Sequence, residues 1–101
     1  MRFVLQIKMP NEPFNSMVRD GSGGTKIKRI LEDLKPEAVY FSAYGGQRGA
    51  IMIVDLKDAS EIPRYAEPFF LTFGAKVEFH IAMTPDDLER GGLDALGKKW
   101  A

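Results

Sequence analysis

The sequence predicts an α+β fold in the order β-α-β-β-α-β, with one more helical segment at the C-terminus. Three observations predict it. Residues 2–9 and 75–83 alternate apolar and polar side chains, which is the period of a strand with one buried face. Ile27, Ile30, Leu31 and Leu34 stand at i, i+3, i+4 and i+7, one face of an α-helix. Residues 38–44 (AVYFSAY) and 50–56 (AIMIVDL) are β-rich runs on either side of GGQRG, a glycine-bearing turn, and so read as a hairpin.

Taken in order, the first strand puts Phe3, Leu5, Ile7 and Met9 on one face, and Arg2, Gln6 and Lys8 on the other, with Val4 the one exception; Pro10 ends it. Asn11 is placed to cap a short helix bearing Phe14, Met17 and Val18. Gly21 to Gly24 interrupt it, and a second helix starts at Thr25 and stops before Pro36. After the hairpin, Asp58 or Ser60 caps a helix carrying Ile62, Ala66, Phe69, Phe70 and Phe73. Pro63 suits its first turn, Pro68 predicts a kink or break, and Gly74 closes it. The three phenylalanines at helical spacing read as core. In the last strand Val77, Phe79, Ile81 and Met83 form one face, and Lys76, Glu78 and His80 the other. Thr84-Pro85-Asp86-Asp87 then opens a helix with an N-cap threonine, a proline at N1 and acids in the first turn. Gly91-Gly92 interrupts that tail, which ends near Trp100, a residue suited to anchoring it on a core or a partner.

This order is the ferredoxin-like pattern, an antiparallel sheet of strand order 4-1-3-2 with both helical layers on one face. A single domain over residues 1–101 is expected, with 84–101 as a C-terminal helical tail. The other sheet face is left open. In so small a chain, two copies facing each other across their sheets are the economical cover, a homodimeric α/β barrel.

Composition narrows the function classes. Of 101 residues, 45% are hydrophobic and 28% charged, an ordinary globular balance. Lysine plus arginine equals aspartate plus glutamate at 14 each, so no nucleic-acid partner is expected. The absence of cysteine excludes disulfides, thiolate zinc sites and cysteine nucleophiles. One histidine and no calcium-loop spacing leave no metal site and no cofactor expected. The N-terminus lacks the apolar core of a signal peptide, and the longest aliphatic run, Ala50 to Val54, is too short for a bilayer. A cytoplasmic protein without a membrane partner is expected.

The stretches LEDLKPEAVYF, GQRGAIMIVDL, IPRYAEPFFLTFGAKVEFH and MTPDDL together resemble a family of small uncharacterised bacterial proteins. That family lies in the dimeric α/β-barrel superfamily, alongside the GYD-like and muconolactone-isomerase-like domains. The resemblance spans nearly the whole chain, most strongly Glu32 to Leu88, and implies a homodimer. It carries no catalytic motif residue by residue. Muconolactone isomerase, similar in size and architecture, works in a pocket on the open sheet face, which implies looking there for a small-molecule site.

On that face the alternation places Gln6, Lys8, Lys76, Glu78 and His80, on strands that are neighbours in this topology. A polar set on a dimerising face points to a lined cavity. His80 is the acid–base candidate, because an imidazole changes charge near neutral pH. Glu78 lies two residues away on the same face, about 6.5–7 Å along the strand, and can orient it. Tyr40 and Tyr44 share one face of the second strand and offer hydroxyls to a ligand oxygen, or form an aromatic interface patch. Which face of the second and third strands lines the cavity is open, since both are apolar. Arg48 in the GGQRG turn can reach over the cavity mouth to a carboxylate, or remain a solvated surface charge. Three readings follow: an isomerase or cofactor-independent oxygenase, a binding module that holds a small acid without turnover, or a structural dimer.

The glycine-rich stretch VRDGSGGTKIKRI suggests a phosphate loop but fails its patterns. Gly24 is followed by Thr25 and Lys26 rather than by Lys and Ser or Thr, and Lys26 stands where a dinucleotide fingerprint needs glycine. Lys26 and Lys28 nonetheless fall in the predicted first turn of the second helix, where the helix dipole disfavours cations. A weak anion site at Thr25, Lys26 and Lys28 is therefore expected, unless Asp20 offsets the charge.

Overall fold

The computed structural model describes all 101 residues. Strand β1 (Arg2–Met9) leads into helices α1 (Asn11–Asp20) and α2 (Ser22–Leu34), then β2 (Ala38–Tyr44) and β3 (Gln47–Asp55). A 3-10 turn (Ala59–Glu61) precedes α3 (Ile62–Phe73), followed by β4 (Lys76–Ile81), α4 (Pro85–Arg90) and α5 (Leu93–Lys99). The sheet order is β2-β3-β1-β4 with every neighbour antiparallel, the expected ferredoxin-like arrangement.

The odd-numbered stripe of β1 faces the helices, as the alternation requires: Leu5, Ile7 and Met9 are buried there. Because Leu5 opposes Met52 and Ile7 opposes Ala50, β3 contributes its even-numbered residues Ala50, Met52 and Val54 to the same side. Helices α1 to α3 close this core with Phe14, Ile30, Leu34, Tyr65, Phe69 and Phe73. The register settles the parity of β2 and β3 that their sequence leaves open.

Four local expectations change. The helical break is Gly21 alone, at φ 81°, so α2 begins at Ser22 and Thr25 lies inside it rather than capping it. Gly23 is buried within the helix beside Phe14; an added Cβ would meet that ring at 3.4 Å, an ordinary van der Waals contact. The N-terminal turn of α1 is held by Glu12, not Asn11: its carboxylate accepts from the Ser16 backbone N–H at 3.3 Å and hydroxyl at 2.8 Å. Pro68 does not interrupt α3, which runs unbroken from Ile62 to Phe73. The hairpin turn is only Gly45-Gly46, with φ 62° and 73°, the two-residue turn whose twist matches the strands. Gln47, Arg48 and Gly49 therefore belong to β3. The C-terminal cap is as expected: Thr84 Oγ1 accepts from the Asp87 N–H, and Asp87 accepts from the Thr84 N–H.

The chain terminus is tied to the sheet by an ion pair. The Met1 ammonium lies 2.8 Å from Asp55 Oδ1, and its hydrogen bond and charge hold the Asp55 carboxyl below its ordinary value. A carboxylate depressed in the folded state adds stability above its unfolded pKa and loses it as pH falls through the folded one. Acid titration of Asp55→Asn beside the parent chain, followed by circular dichroism, is expected to show a stability difference at neutral pH that starts to shrink at about pH 4 and is lost as the pH falls through the depressed folded value.

Candidate functional site

The open face is laid out in rows by the strand register. Across one row stand Tyr40, Ile51, Gln6 and Glu78, from β2, β3, β1 and β4 respectively. The next row toward the chain terminus is Ala38, Ile53, Val4 and His80. On the hairpin side the row is Ser42, Gly49, Lys8 and Lys76. Strands about 4.8 Å apart make each row about 14 Å wide, the scale of a one-ring ligand with its substituents.

His80 and Glu78 are brought together. Nε2 of the imidazole lies 3.1 Å from Glu78 Oε2; a carboxylate only accepts, so Nε2–H is the donor, and in the neutral imidazole Nδ1 then carries the lone pair. Both side chains are more than half exposed in one chain. There the pair is solvated and weak; a second sheet laid over it would strengthen it. Gln6 stands directly opposite Glu78. Tyr40 is 71% exposed at the far end of the same row, with its hydroxyl free. Ile51 is 37% exposed, and with Val4 and Ile53 it forms an apolar floor between Tyr40 and the His80–Glu78 pair. This floor went unnamed in the sequence. Its signal was Val4, the single apolar residue on the polar parity of β1.

Two tyrosines of one strand thus serve different ends. Tyr44 folds back over the sheet, and its hydroxyl donates to the Ile7 carbonyl at 2.6 Å. Its one proton is committed to the backbone, so it is not a ligand donor as expected. The ring lies across Gly49, where an added Cβ would come within 2.6 Å of ring carbons. Gly49→Ala is accordingly expected to expel the ring and cost about 1–3 kcal/mol, read as a lower urea midpoint. Tyr44→Phe, which keeps the ring and loses the hydroxyl, is expected to cost about 1 kcal/mol.

Lys8 also belongs to the hairpin end. Its ammonium lies 5.9 Å from the Tyr44 ring centroid and over Gly45. It shares the face with His80 but is four residues from Val4, His80's partner on β1, about 13 Å along the strand. Arg48 does not reach the mouth at all. In β3 its parity sends it to the helix side, where it donates to Asn15 Oδ1 at 2.7 Å and lies over the Phe14 ring. Its role is to tie β3 to α1.

The expected anion site at Thr25, Lys26 and Lys28 is also overturned. With α2 starting at Ser22, both lysines lie beyond its first turn. The Asp20 carboxylate takes the Ser22 N–H at 2.8 Å, occupying the helix end that an anion would need. A concavity of about 950 Å³ lies on the helix side between α2 and α3 and is lined by Lys26, Arg29, Glu32 and Asp33 with Ile30 and Leu71. It brings opposite charges together at helical spacing and no acid–base pair faces a wall within it. The open sheet face is a surface in one chain; a second sheet would make it a cavity. No three histidine or acidic side chains converge to hold a metal, and no helix is long and apolar enough to cross a membrane.

No family model matches the chain, and no curated protein sequence matches it. Among solved structures it is similar to 5-chloro-2-hydroxyhydroquinone dehydrochlorinase (TftG) from Burkholderia phenoliruptrix AC1100, determined in complex with 2,5-dihydroxybenzoquinone. The TM-score is 0.62 at 15% sequence identity, over 85% of this chain and 97% of that one. At that identity the likeness is one of fold: the protein has the ferredoxin-like α+β fold that its sequence predicts.

Proposed function

We propose that the protein is a subunit of a homodimeric α/β barrel that binds a small, oxygenated organic molecule between two open sheet faces and moves a proton on it, as an isomerase or a cofactor-independent oxygenase does. The observation that carries this reading is the row structure of the open face. An apolar floor of Val4, Ile51 and Ile53 lies between a free phenol, Tyr40, and a hydrogen-bonded His80–Glu78 pair. A flat ring suits the floor, with a ring hydroxyl or carbonyl oxygen at Tyr40 or Gln6 and an acidic C–H or O–H at Nδ1 of His80. His80 takes the proton as general base, while Glu78 holds the ring orientation and stabilises the imidazolium formed.

TftG supports the substrate class. A dehydrochlorinase removes hydrogen and chloride, and its structure holds a dihydroxybenzoquinone. Proton removal from a ring oxygen or carbon is common to such an elimination, to isomerisation and to oxygenation of an electron-rich ring. A non-catalytic binding module would use the same surface, and the exposure of the His80–Glu78 pair in the single chain favours keeping it as the second reading.

The test is titration of the protein with 2,5-dihydroxybenzoquinone, followed by its visible absorption and by calorimetry, with native mass spectrometry to establish the assembly. A dimer with saturable binding, weakened at least tenfold in Tyr40→Ala and in Gln6→Ala, is expected. A dimer that binds neither this quinone nor related hydroxylated rings would sink the small-molecule reading. A monomer at micromolar concentration would sink the barrel itself.

A further inference from the structure

The C-terminal segment after Ile81 is built like an arm rather than a part of the domain. No substantial packing joins α4 or α5 to the sheet or to α1–α3, and neither helix has a buried residue. The Cα radius of gyration is 17.1 Å, against about 13 Å for a compact chain of this length, and the longest dimension is 59 Å. Yet the arm is amphipathic. Leu93, Leu96 and Trp100 recur at i, i+3 and i+7, and with Leu88 they are 44–76% exposed. A solvated stripe of three leucines and a tryptophan is not what a free tail requires.

A second bare apolar patch lies at the opposite edge of the sheet. Strand β2 is an edge strand, with Tyr40 at 71% exposure on the open face and Phe41 at 52% on the helix face. No helix covers Phe41. The arm leaves the other edge strand, β4, three strand spacings or about 14 Å away. The arm of one chain reaches its own β2 only by crossing the open face. In a pair of facing sheets related by a two-fold axis along the strands, the β4 edge of each copy lies over the β2 edge of the other. Both arms then meet both bare patches at once.

Area supports the same pairing. Four strands of this length present a flat face of roughly 19 Å by 26 Å, about 500 Å². A stable interface usually needs about 800 Å² per partner. The arm, with its leucines and tryptophan, supplies the missing apolar area and a hot-spot residue type.

We propose that residues 84–101 are an exchange arm: each copy packs the Leu88, Leu93, Leu96 and Trp100 stripe on the β2 edge of the second copy, against Tyr40 and Phe41, and walls one end of the row that runs to Glu78. This rests on the facing-sheet dimer proposed above. It adds that each site is incomplete without the partner's arm.

The chain lacks cysteine, so single cysteines report unambiguously. Coexpressed Phe41→Cys and Leu96→Cys chains, treated with a short bismaleimide, are expected to give a covalent heterodimer that neither variant gives alone. In the full-length chain, Leu96→Ala with Trp100→Ala is expected to weaken dimerisation roughly thirtyfold or more by sedimentation. The emission of Trp100, the sole tryptophan, is expected to shift to the blue as the parent chain dimerises. If the parent is a dimer but no heterodimer cross-links and the double variant dimerises as tightly, the arm has another place, and the barrel reading stands. If Phe41→Cys/Leu96→Cys in one chain cross-links internally instead, the arm folds back on its own subunit and the proposal is wrong. A parent chain that stays monomeric removes both readings.

Discussion

Replacing His80 with alanine is expected to lower turnover of a hydroxylated ring substrate by about 10²–10⁴-fold, the range that a positioned general base contributes, while leaving the dissociation constant within a few-fold. The reason is geometric. The apolar floor and the proposed oxygen-binding end of the site, Val4, Ile51, Ile53, Gln6 and Tyr40, come from β1, β2 and β3. His80 comes from β4, at the edge of the sheet, and its ring is held 3.1 Å from Glu78 without contributing to the core. On the proposed mechanism, removing it leaves the ligand's apolar contacts in place and takes away the general base. In the proposed site Glu78 acts through its hydrogen bond to His80, so Glu78→Gln, which keeps a hydrogen-bond acceptor but loses the charge, is expected to lower kcat about tenfold with little change in KM. Parallel measurement of binding by calorimetry and turnover by absorbance separates the two. Unchanged turnover in His80→Ala would leave the face as a binding surface and favour the non-catalytic reading. Lost binding together with lost folding would be read from circular dichroism, and Tyr40→Ala, at the opposite edge of the same face, then provides the independent check on the site.

What the sequence made legible follows from which forces act locally. Period-two alternation in residues 2–9 and 75–83 states which side chains face the core, so the placement of Gln6, Glu78 and His80 on one face was readable without a structure. The hairpin was not readable to the residue. The glycines Gly45, Gly46 and Gly49 look alike in sequence, but two supply positive φ in the turn and the third clears space for the Tyr44 ring. Read as part of the turn, Arg48 was free to reach over the cavity mouth; as a β3 residue its parity holds it on the helix side. The anion site failed for a related reason. Thr25 has the chemistry of a cap, yet Gly21 adopts the left-handed turn earlier, and Asp20 satisfies the new helix end. Capping competes over single residues, and here the left-handed Gly21 and the Asp20 carboxylate set the start. The arm was legible as an amphipathic tail. That no substantial packing joins it to the rest of its own chain is a property of three dimensions.

Phe73→Ala is expected to be the most destabilising single core truncation in the chain. Phe73 is fully buried and the largest of the wholly enclosed side chains. Its ring lies 5.1 Å from that of Phe14 and 6.5 Å from that of Phe69, so it joins α1 to α3 beneath the sheet. Deleting a buried phenyl ring costs about 3–5 kcal/mol, transfer energy together with the cavity left behind. Collapse around that cavity is restricted on two sides: the Arg48 guanidinium lies over Phe14, 5.0 Å from its centroid, and Gly74 immediately follows Phe73 in a left-handed helix stop. Domains of this size are stable by about 5–15 kcal/mol in total, so the loss is a large share of the whole. A fall in melting temperature of roughly 12–30 °C is expected by differential scanning calorimetry. The open-face site does not include Phe73, so at temperatures where the variant stays folded the ligand should bind as in the parent chain. A drop of only a few degrees would mean that α1 and α3 re-pack around the vacancy, and that the phenylalanine cluster is looser than the ring distances indicate. Phe73→Leu, which refills much of the volume, is expected to recover most of the lost stability, because the cavity and not the aromatic character dominates the cost.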